Sequence, residues 1–407
     1  MIYCIDLEKA QAMLLNRVAA LGLEQVSLLE SWKRVLAQNI NSQVNVPTFS
    51  RSPLDGYAVQ IKDVQHASAK KPARLNVLGT LQAGTVFTGE VLQGNAVRIM
   101  TGAPIPKGAN GVIRLEDTDG GFKIVEIYQP LTSNSNIIPA GEDVLAGEQI
   151  LTKGEVLSSG AIGMLAAIGQ EIVPVYQQPQ IALFSTGEEL VDVNEPLKQG
   201  RIHNSNYYGL AGAILEAGGK PVLLGLTGDS TLKIAEKLKL GLRESGLVIS
   251  TGGASVGDYD LMQAAYQEIG AKILFWRMAV RPGAQVLAAE KDGKLLIGLS
   301  GNPSAAWITF ELLVRPLIRK LAGRRKWLRT SYKAIAEEDY SKCGEIRRFI
   351  WGYASYDGSC YRVKLLDKQN PGILKSILRC NALVDLPANS STIKAGQEVE
   401  MILLNSC

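Results

Sequence analysis

The sequence predicts a multidomain protein that combines α/β and β architecture around one doubly wound α/β domain. Strand and helix patterns alternate between residues 177 and 327, whereas short β-branched runs broken by Gly, Pro and Asn fill residues 44–138 and return after residue 328. Alternation of strands with helices indicates parallel βαβ units, and short strands separated by turn residues indicate small β domains. We therefore expect four domains: an elongated, discontinuous helical and β N-terminal domain (1–43 and 139–176), an inserted small β domain (44–138), the α/β domain (177–327) and a barrel-like C-terminal β domain (328–407).

The N-terminal region is predicted to be largely helical. Apolar residues at helical spacing indicate an amphipathic helix within the first forty residues: Leu7, Ala10, Met13, Leu14 and Val18. A further apolar stretch follows at 28–40, and residues 158–169 form a second helix pattern that begins with serine and ends with glycine. The first element is a candidate for packing or for dimerisation.

The α/β domain has the clearest element pattern. We predict strands at 180–184, 221–226, 247–250 and 294–299, and helices at 205–217 and 230–245. Asp229 stands where it could cap the second of these helices, and Gly218 where it could end the first. Strand patterns also occur at 349–353, 361–365, 382–386 and 398–404, in the predicted C-terminal domain.

Composition excludes several classes of protein. A hydrophobic content of 46% over 407 residues is enough for several buried cores. A net charge of +4 is lower than the positive charge expected of a nucleic-acid-binding protein. Five cysteines without a CxxC spacing argue against a zinc site or a disulfide framework, and two histidines leave little material for histidine chemistry. The chain start lacks the pattern of a signal peptide, and the most apolar helix pattern, 305–321, carries four charges. We expect a soluble cytoplasmic protein that binds neither nucleic acid nor membrane.

The most informative segment is 247–260, in which an apolar strand runs into glycines, hydroxyls and acids. Glycine lets the main chain approach an anion closely, so the turn could present backbone N–H groups and hydroxyls to a phosphate through Thr251, Gly252, Gly253 and Ser255. Asp258 and Asp260 could hold Mg²⁺ beside that phosphate. The alternative is an ordinary tight turn in which Asp260 caps a helix that starts near Leu261.

Two other segments repeat this plan of strand, glycine turn and helix. Segment 181–189 offers Ser185, Thr186 and Gly187, and segment 295–303 offers Gly301 and Asn302. Because the carboxyl ends of parallel strands share one edge of a sheet, the three turns should converge on one crevice.

Carboxylates at the same strand ends predict a cation site. Glu189, Asp229 and Asp260 would supply the oxygen ligands that a hard cation such as Mg²⁺ prefers. The alternatives are structural: one of Glu188 and Glu189 favours the start of a turn or helix, and Asp229 taken alone is more often a helix cap.

Basic residues predict an oxyanion clamp. Arg277 and Arg281 stand four residues apart among apolar neighbours, so in a helix or an extended strand their guanidinium groups would share one side. A solvated surface pair is the alternative. Asp55, Asp143 and Thr101 lie outside the α/β domain, and turn or loop chemistry accounts for each of them on sequence grounds alone.

Taken together, the motifs resemble the molybdopterin molybdenumtransferase family, to which the C-terminal domain of gephyrin also belongs. The resemblance covers almost the whole chain, in the order of the family, at segments 54–58, 98–106, 140–144, 185–190, 251–260 and 301–303. It implies a cytosolic homodimer of four-domain subunits, with an α/β domain similar to that of molybdopterin adenylyltransferases.

The implied reaction is the Mg²⁺-dependent insertion of molybdate into adenylylated molybdopterin, with release of AMP. By resemblance, Glu189, Asp229 and Asp260 belong to the nucleotide and metal side of the site, and Asp55, Thr101 and Asp143 approach it across the dimer; the five carboxylates are the implied catalytic residues. The resemblance also implies molybdopterin adenylyltransferase and molybdoenzyme apoproteins, or their chaperones, as partners.

Some positions depart from the family pattern. Arg277 and Arg281 stand where lysines are usual, and further departures fall at Ala284, Ala305 and the segment that starts at Pro371, in regions that bind the oxyanion in the family. The alternative functions are therefore a divergent inactive paralogue, a noncatalytic scaffold of the same fold, or a molybdopterin adenylyltransferase.

Overall fold

The chain folds into two compact units. The computed structural model describes residues 1–131, 136–252, 259–341, 344–366, 369, 372, 374–390 and 392–404, with backbone only at 259 and 260. The first unit contains Met1–Ala37, Gly154–Ser158 and Val173–Cys407, and the second contains Gln38–Lys153 and Ser159–Ile172. The finer division into four domains with the boundaries given above remains a prediction.

The strands of the described residues, numbered in chain order, are β1 Leu23–Ser27, β2 Ile40–Asn41, β3 Gly56–Val59, β4 Ala73–Leu81, β5 Asn95–Ile99, β6 Gly111–Arg114, β7 Ile124–Ile127, β8 Gln149–Leu151, β9 Ile172–Tyr176, β10 Gln180–Thr186, β11 Leu190–Val191, β12 Ile202–His203, β13 Lys220–Thr227, β14 Leu247–Thr251, β15 Lys272–Trp276, β16 Val280–Arg281, β17 Val286–Lys291, β18 Lys294–Leu299, β19 Ser331–Ala336, β20 Arg347–Tyr356, β21 Tyr361–Leu365, β22 Ala382–Leu386 and β23 Glu398–Leu403.

The α-helices are α1 Leu7–Leu15, α2 Ile61–Val64, α3 Ser159–Ala167, α4 Ser205–Ala217, α5 Thr231–Glu244, α6 Tyr259–Glu268, α7 Pro303–Thr309, α8 Arg315–Leu321 and α9 Leu374–Arg379. A π-helical turn, Phe310–Val314, joins α7 to α8. Among the residues described here, no helix has both the length and the apolar character that crossing a bilayer requires.

A six-stranded sheet forms the centre of the first unit, in the order β13-β10-β14-β18-β17-β15. The first four strands run parallel, and β17 is antiparallel to both of its neighbours. Side chains of β10 alternate between two cores: Ile181 and Leu183 pack on one face, Ala182 and Phe184 on the other. Because apolar residues of α4 and α7 share the first core and those of α5 and α6 the second, helices cover both faces. The predicted doubly wound α/β domain is confirmed.

The C-terminal strands of the first unit close into a barrel. Strands β20, β21, β19, β23 and β22 are hydrogen-bonded in that order, and a further pairing of β20 with β22 completes the ring. Closure removes unpaired sheet edges, and Val363, Val384 and Met401 fill the interior. The predicted barrel-like β domain is confirmed, and β16 adds to it beside β20.

The second unit is built on a five-stranded sheet, in the order β6-β3-β5-β4-β7. Strand β3 is buried along its whole length, since Tyr57 and Val59 belong to one core and Ala58 to a core on the other face. The β-branched runs at 73–78, 96–100 and 112–115 are the strands expected from the sequence.

The N-terminal prediction needs a correction. Helix α1 ends at Leu15, and the chain then forms β1, which pairs with β9, so the first forty residues are not mainly helical. Partner strand β9 lies about 150 residues away, and a pairing of that range overrides local helical spacing. The helix predicted at 158–169 occurs as α3.

Candidate functional site

The carboxyl ends of three adjacent parallel strands, β10, β14 and β18, meet at one cleft. In the sheet register Thr251 lies beside Ser185 on one side and Leu299 on the other, so the turns that follow are neighbours. Thr186, Glu189 and the turn residues Gly252 and Gly301 line this cleft, which we call the strand-end cleft. The described residues of the three sequence motifs, which in the 247–260 segment end at Gly252, therefore converge as expected from the topology.

Glycine is required where two of these turns touch. Gly252 has φ +99°, and a Cβ added there would lie 1.8 Å from the carbonyl oxygen of Thr186. Gly187 has φ +149°, and a Cβ there would lie 2.7 Å from Oε2 of Glu189. Only a residue without a side chain lets position 252 come this close to the backbone of Thr186, whereas the close atom at Gly187 belongs to a flexible side chain.

A buried hydrogen-bond network fixes the hydroxyl groups of the cleft. Asn206 Nδ2 donates to Thr251 Oγ1 at 3.2 Å and to the carbonyl oxygen of Gly301 at 2.8 Å. Thr251 Oγ1 in turn donates to the carbonyl oxygen of Ser300 at 3.1 Å. Sequence reasoning missed Asn206, because a single amide in the first turn of a helix carries no pattern of its own. The only available signal was its position just after a strand end.

Two buried oxygens in this region lack a hydrogen-bond partner among the described residues. They are Ser185 Oγ and Asn206 Oδ1. A buried polar atom without a partner is unusual in a native protein and commonly marks a place for water or ligand. Of the two, Asn206 lines the strand-end cleft, and Ser185 is buried beside Thr251 in the sheet register.

Asp229 is locked to the turn after β10. Thr186 Oγ1 donates to its Oδ1 at 2.6 Å, and the backbone N–H of Glu188 donates to its Oδ2 at 3.2 Å. The backbone N–H of Asp229 donates to Glu188 Oε1 at 3.2 Å, which makes the contact reciprocal. Ser230, not Asp229, occupies the N-cap of α5, so the interpretation of Asp229 as a helix cap is wrong. The Asp229 carboxylate instead accepts hydrogen bonds from Thr186 and Glu188, at the end of the neighbouring strand β10.

The carboxylates predicted to hold a metal are only partly placed. Glu189 is exposed in the cleft, and Asp229 lies at the end of the neighbouring strand β13. Asp260 falls inside α6, not before it, which contradicts its interpretation as a cap, and its side chain lies outside the described residues. Gly253, Ser255 and Asp258 also lie outside them. Among the side chains the structure does describe, no group of three His, Cys, Asp or Glu is close enough to hold a metal ion.

The two predicted clamp arginines lie in different local structures. Arg277 follows β15 with φ +73°, so the run is neither one helix nor one continuous strand. Its Nη1 donates to the hydroxyl of Tyr3 at 3.4 Å. Arg281 is exposed at the end of β16, where its partner in the parallel register is Arg348 of β20. The premise that brought Arg277 and Arg281 to one side is wrong, and the neighbour of Arg281 is a different guanidinium.

Arg348 shares one feature with Arg319 and Arg324. Its Nε is buried without a hydrogen-bond partner among the described residues. Of the other departures from the family pattern, Ala305 is buried in α7, Ala284 accepts the backbone N–H of Met278 at 2.9 Å, and Pro371 lies outside the described residues.

In the second unit, Asp55 and Thr101 are brought together. Both the backbone N–H and the hydroxyl of Thr101 donate to Asp55 Oδ1 at 2.7 Å. These two hydrogen bonds, the backbone one first, lower the pKa of Asp55, and Arg98 adds a smaller effect of the same sign. Asp143 is exposed in a turn, and its backbone N–H donates to the carbonyl oxygen of Val46 at 3.0 Å. Thr101 thus holds the Asp55 carboxylate in one position.

Comparison with known protein families gives three matches along the chain. The family described as "MoeA N-terminal region (domain I and II)" matches residues 5–169, "Probable molybdopterin binding domain" matches 182–320, and "MoeA C-terminal region (domain IV)" matches 333–404. The three matches follow one another along the chain, and the second and third coincide with the α/β domain and the C-terminal barrel.

Whole-chain relatives agree. A molybdopterin molybdenumtransferase of Bacillus subtilis (strain 168) is 35% identical over 94% of this chain and 90% of its own length. A molybdopterin molybdenumtransferase of Staphylococcus aureus (strain MRSA252) is 36% identical over 99% of this chain and 96% of its own length. The crystal structure of a molybdopterin biosynthesis MoeA protein from Pyrococcus horikoshii OT3 superposes with a TM-score of 0.83, at 31% identity, over 98% of this chain and 100% of that one. The chain belongs to the molybdopterin molybdenumtransferase family.

Proposed function

We propose that this protein is a transferase of molybdenum cofactor biosynthesis that inserts molybdate into adenylylated molybdopterin and releases AMP. The observation that carries the proposal is the meeting of three glycine-bearing turns at one strand-end cleft, with Asp229 locked to the turn after β10. Its named relatives are molybdopterin molybdenumtransferases. The cleft offers what a phosphate-bearing substrate needs, which is close backbone approach, fixed hydroxyls and carboxylates for a counter-cation.

The residues of the cleft would bind and orient the phosphate link of the substrate. Gly252 and Gly301 permit the main chain to approach the phosphate oxygens, and Asn206 keeps the Thr251 hydroxyl in one place. Asn206 Oδ1, which has no partner among the described residues, is available as a further hydrogen-bond group. Because these groups are already fixed, little reorganisation would accompany binding, and fixed dipoles stabilise charge better than mobile ones.

The residues present fit Mg²⁺ in chemical type. Glu189 and Asp229 supply only oxygen donors, which a hard cation prefers, and we propose that they hold it together with Asp260. When bound, Mg²⁺ would neutralise charge on the phosphate oxygens. The lock between Thr186 and Asp229 would keep that carboxylate in its binding orientation.

We propose that the molybdate oxyanion binds near Arg281 and Arg348. The two residues are register partners in neighbouring strands, and the buried Arg348 Nε has an unused donor within the described part of the chain. Planar guanidinium groups suit oxyanions because they offer two parallel N–H donors. Arg277 contacts Tyr3 and would contribute at most through its charge.

The experiment is a turnover assay with the purified full chain, adenylylated molybdopterin, Mg²⁺ and molybdate. We expect AMP release that depends on molybdate, and reconstitution of an apo-molybdoenzyme by the product. Glu189→Gln and Asp229→Asn should lose most of this activity, whereas Glu236→Gln, an exposed carboxylate of α5, should keep it. Binding of substrate without molybdate-dependent AMP release would refute the proposal in favour of an inactive paralogue or scaffold. Synthesis of adenylylated molybdopterin from ATP would favour an adenylyltransferase.

The proposal includes a cytoplasmic homodimer in which Asp55, Thr101 and Asp143 of one protomer serve the cleft of the other, as the family resemblance implies. A mixing experiment tests this directly with two variants, Asp55→Asn and Glu189→Gln. If the residues act across the dimer, an equal mixture allowed to exchange subunits should regain about a quarter of the wild-type rate, because half of the dimers then contain one intact site of two. A mixture that stays inactive after exchange would show that they do not. Molybdopterin adenylyltransferase and molybdoenzyme apoproteins, or their chaperones, are the proposed partners.

A further inference from the structure

A large cavity lies beside the strand-end cleft in the first unit. Its volume is about 700 Å³, and helices α4, α7 and α9 and strand β20 contribute to its wall. Among the described residues the wall is mainly apolar and includes two indole rings, those of Trp307 and Trp351, with Leu374, Ile377 and Leu378 of α9. We call it the indole cavity. A cavity of this size suits a small organic ligand.

The indole cavity begins one helical turn from the strand-end cleft. Ser205, the first residue of α4, lines both, and Gly209 one turn later lines the cavity. In the same way Pro303 of α7 lines the cleft and Trp307 lines the cavity. Four residues of α-helix advance about 6 Å. A ligand with an anionic group in the cleft could therefore place an attached ring system in the cavity.

Both indole rings are held in place. A Cβ added to Gly209 would lie 2.7 Å from Cζ2 of Trp307, so the ring rests directly on the backbone of α4. Trp351 is buried, and its Nε1 donates to Ser304 Oγ at 2.6 Å. Trp351 is only 2% exposed, so Trp307, which is half-buried, is the indole on which a planar ligand would stack. A ring that is already fixed favours stacking, because no side-chain freedom is lost on binding.

The end of the cavity away from the cleft is charged. Glu216, on α4, lines it and forms an ion pair through Oε2 with Arg315 at 3.2 Å, with its side chain 70% exposed. Glu311 also lines it, and Arg329 and Arg315 hold both of its oxygens. Of the two carboxylates Glu216 is the accessible one. It lies eleven residues beyond Ser205, about 16 Å along the helix.

We propose that the indole cavity binds the pterin ring system of the substrate, with the ring against the indole of Trp307 and its amino edge towards Glu216. A 2-aminopyrimidinone edge presents two adjacent N–H donors, which a carboxylate accepts well, whereas adenine presents a donor beside an acceptor. This inference rests on the proposed function, since it assigns the part of that substrate which does not react. Glu216 is then a specificity-determining residue for the pterin edge.

The test uses two glycines of one helix. Gly209→Ala would push Trp307 aside, whereas Gly212→Ala adds the same methyl group at an exposed site with nothing within 4 Å. Both changes favour helix formation, so both variants should fold. Binding of 2-aminopteridin-4-one is followed by calorimetry and by energy transfer from tryptophan, with AMP as competitor.

We expect saturable pterin binding that Gly212→Ala leaves unchanged and Gly209→Ala weakens by about tenfold or more, the scale of one lost stacking contact. Glu216→Ala should weaken pterin binding but not AMP binding, and AMP should not displace the pterin. Equal binding by the two glycine variants, or displacement by AMP, would overturn the assignment even in a protein that turns over. Pterin binding with this selectivity but without molybdate-dependent AMP release would refute the transferase proposal and leave the cavity assignment standing.

Discussion

The hydrogen bond between Thr186 and Asp229 allows the sharpest test of how the strand-end cleft is organised. Thr186 is fully buried, and its hydroxyl donates to a carboxylate oxygen at 2.6 Å. Thr186→Val keeps the size and branching of the side chain and removes only the donor. Asp229 then keeps the backbone N–H of Glu188 but loses its shorter contact.

The magnitude follows from the charge of the acceptor. A hydrogen bond to a charged group contributes about 1.5–3 kcal/mol, and because Asp229 is half-buried we expect the lower part of that range. If the bond keeps Asp229 in its cation-binding orientation, the same free energy opposes Mg²⁺ binding in the variant. At 1.4 kcal/mol per decade, the Mg²⁺ concentration for half-maximal AMP release should rise by about tenfold or somewhat more.

The matched control is Thr309→Val. Thr309 is equally buried, but its hydroxyl bonds only backbone carbonyl oxygens, those of Ala305 at 2.9 Å and Gly283 at 3.3 Å. We expect a loss of about 1 kcal/mol in stability and an unchanged Mg²⁺ requirement. If Thr186→Val shows the wild-type Mg²⁺ dependence, or if both variants shift it equally, the role assigned to the lock is wrong.

Three further predictions concern backbone strain, buried charge and pH. Gly252→Ala should lower the unfolding temperature well beyond Gly225→Ala: both have positive φ, worth about 1–2 kcal/mol, but only the first places a methyl group on a carbonyl oxygen. Glu311→Gln should lower the free energy of unfolding by about 3–5 kcal/mol in a denaturant titration, because buried Arg329 loses its carboxylate and buried Arg315 keeps only that of the exposed Glu216. Thr101→Val removes one of two hydrogen bonds to Asp55, so a carboxyl titration by NMR should show the pKa of Asp55 rising towards 3.8 while the retained N–H keeps it lower. Because that pKa is lowered by folding, the stabilisation by the pair is complete above the unfolded-state value and is lost as pH falls through the folded one; a pKa unchanged by the substitution would contradict this.

The α/β domain could be predicted from the sequence because its signals are local. Helix α4 occupies the residues expected, and Gly218, with φ +95°, ends it as a left-handed C-cap. Strands β10, β14 and β18 begin within a residue of the predicted positions. The convergence of their turns follows from parallel topology alone, without knowledge of any side-chain contact.

Features that depend on distant partners could not be predicted. The helical spacing of residues 7–18 continues past Leu15, yet the chain turns there and β1 pairs with β9. Asp229 has the sequence context of a helix cap, and only the register of β10 with β13 brings Thr186 to it. In both cases a contact between segments far apart in sequence outweighs the local preference.

The arginine prediction failed for a related reason. A spacing of four is informative only if the backbone between the two residues is regular, and Arg277 adopts a left-handed conformation that interrupts it. The pairing of β16 with β20 then places Arg348 beside Arg281. No spacing rule connects these two residues, which are 67 positions apart.

The two halves of the proposed substrate site differ in how they are built, and this decides where divergence matters. At the strand-end cleft the main chain at Gly252 and Gly301 and the network anchored by Asn206 contribute binding groups, so a substitution that leaves Glu189, Asp229 and Thr186 in place should change little there. The oxyanion side depends on side chains, and the family resemblance implies lysines where this chain has Arg277 and Arg281. Arginine for lysine keeps the charge but changes the donor geometry from a point to a plane. Divergence of this protein from its relatives should therefore appear in its affinity for the oxyanion, while its handling of the phosphate link stays the same.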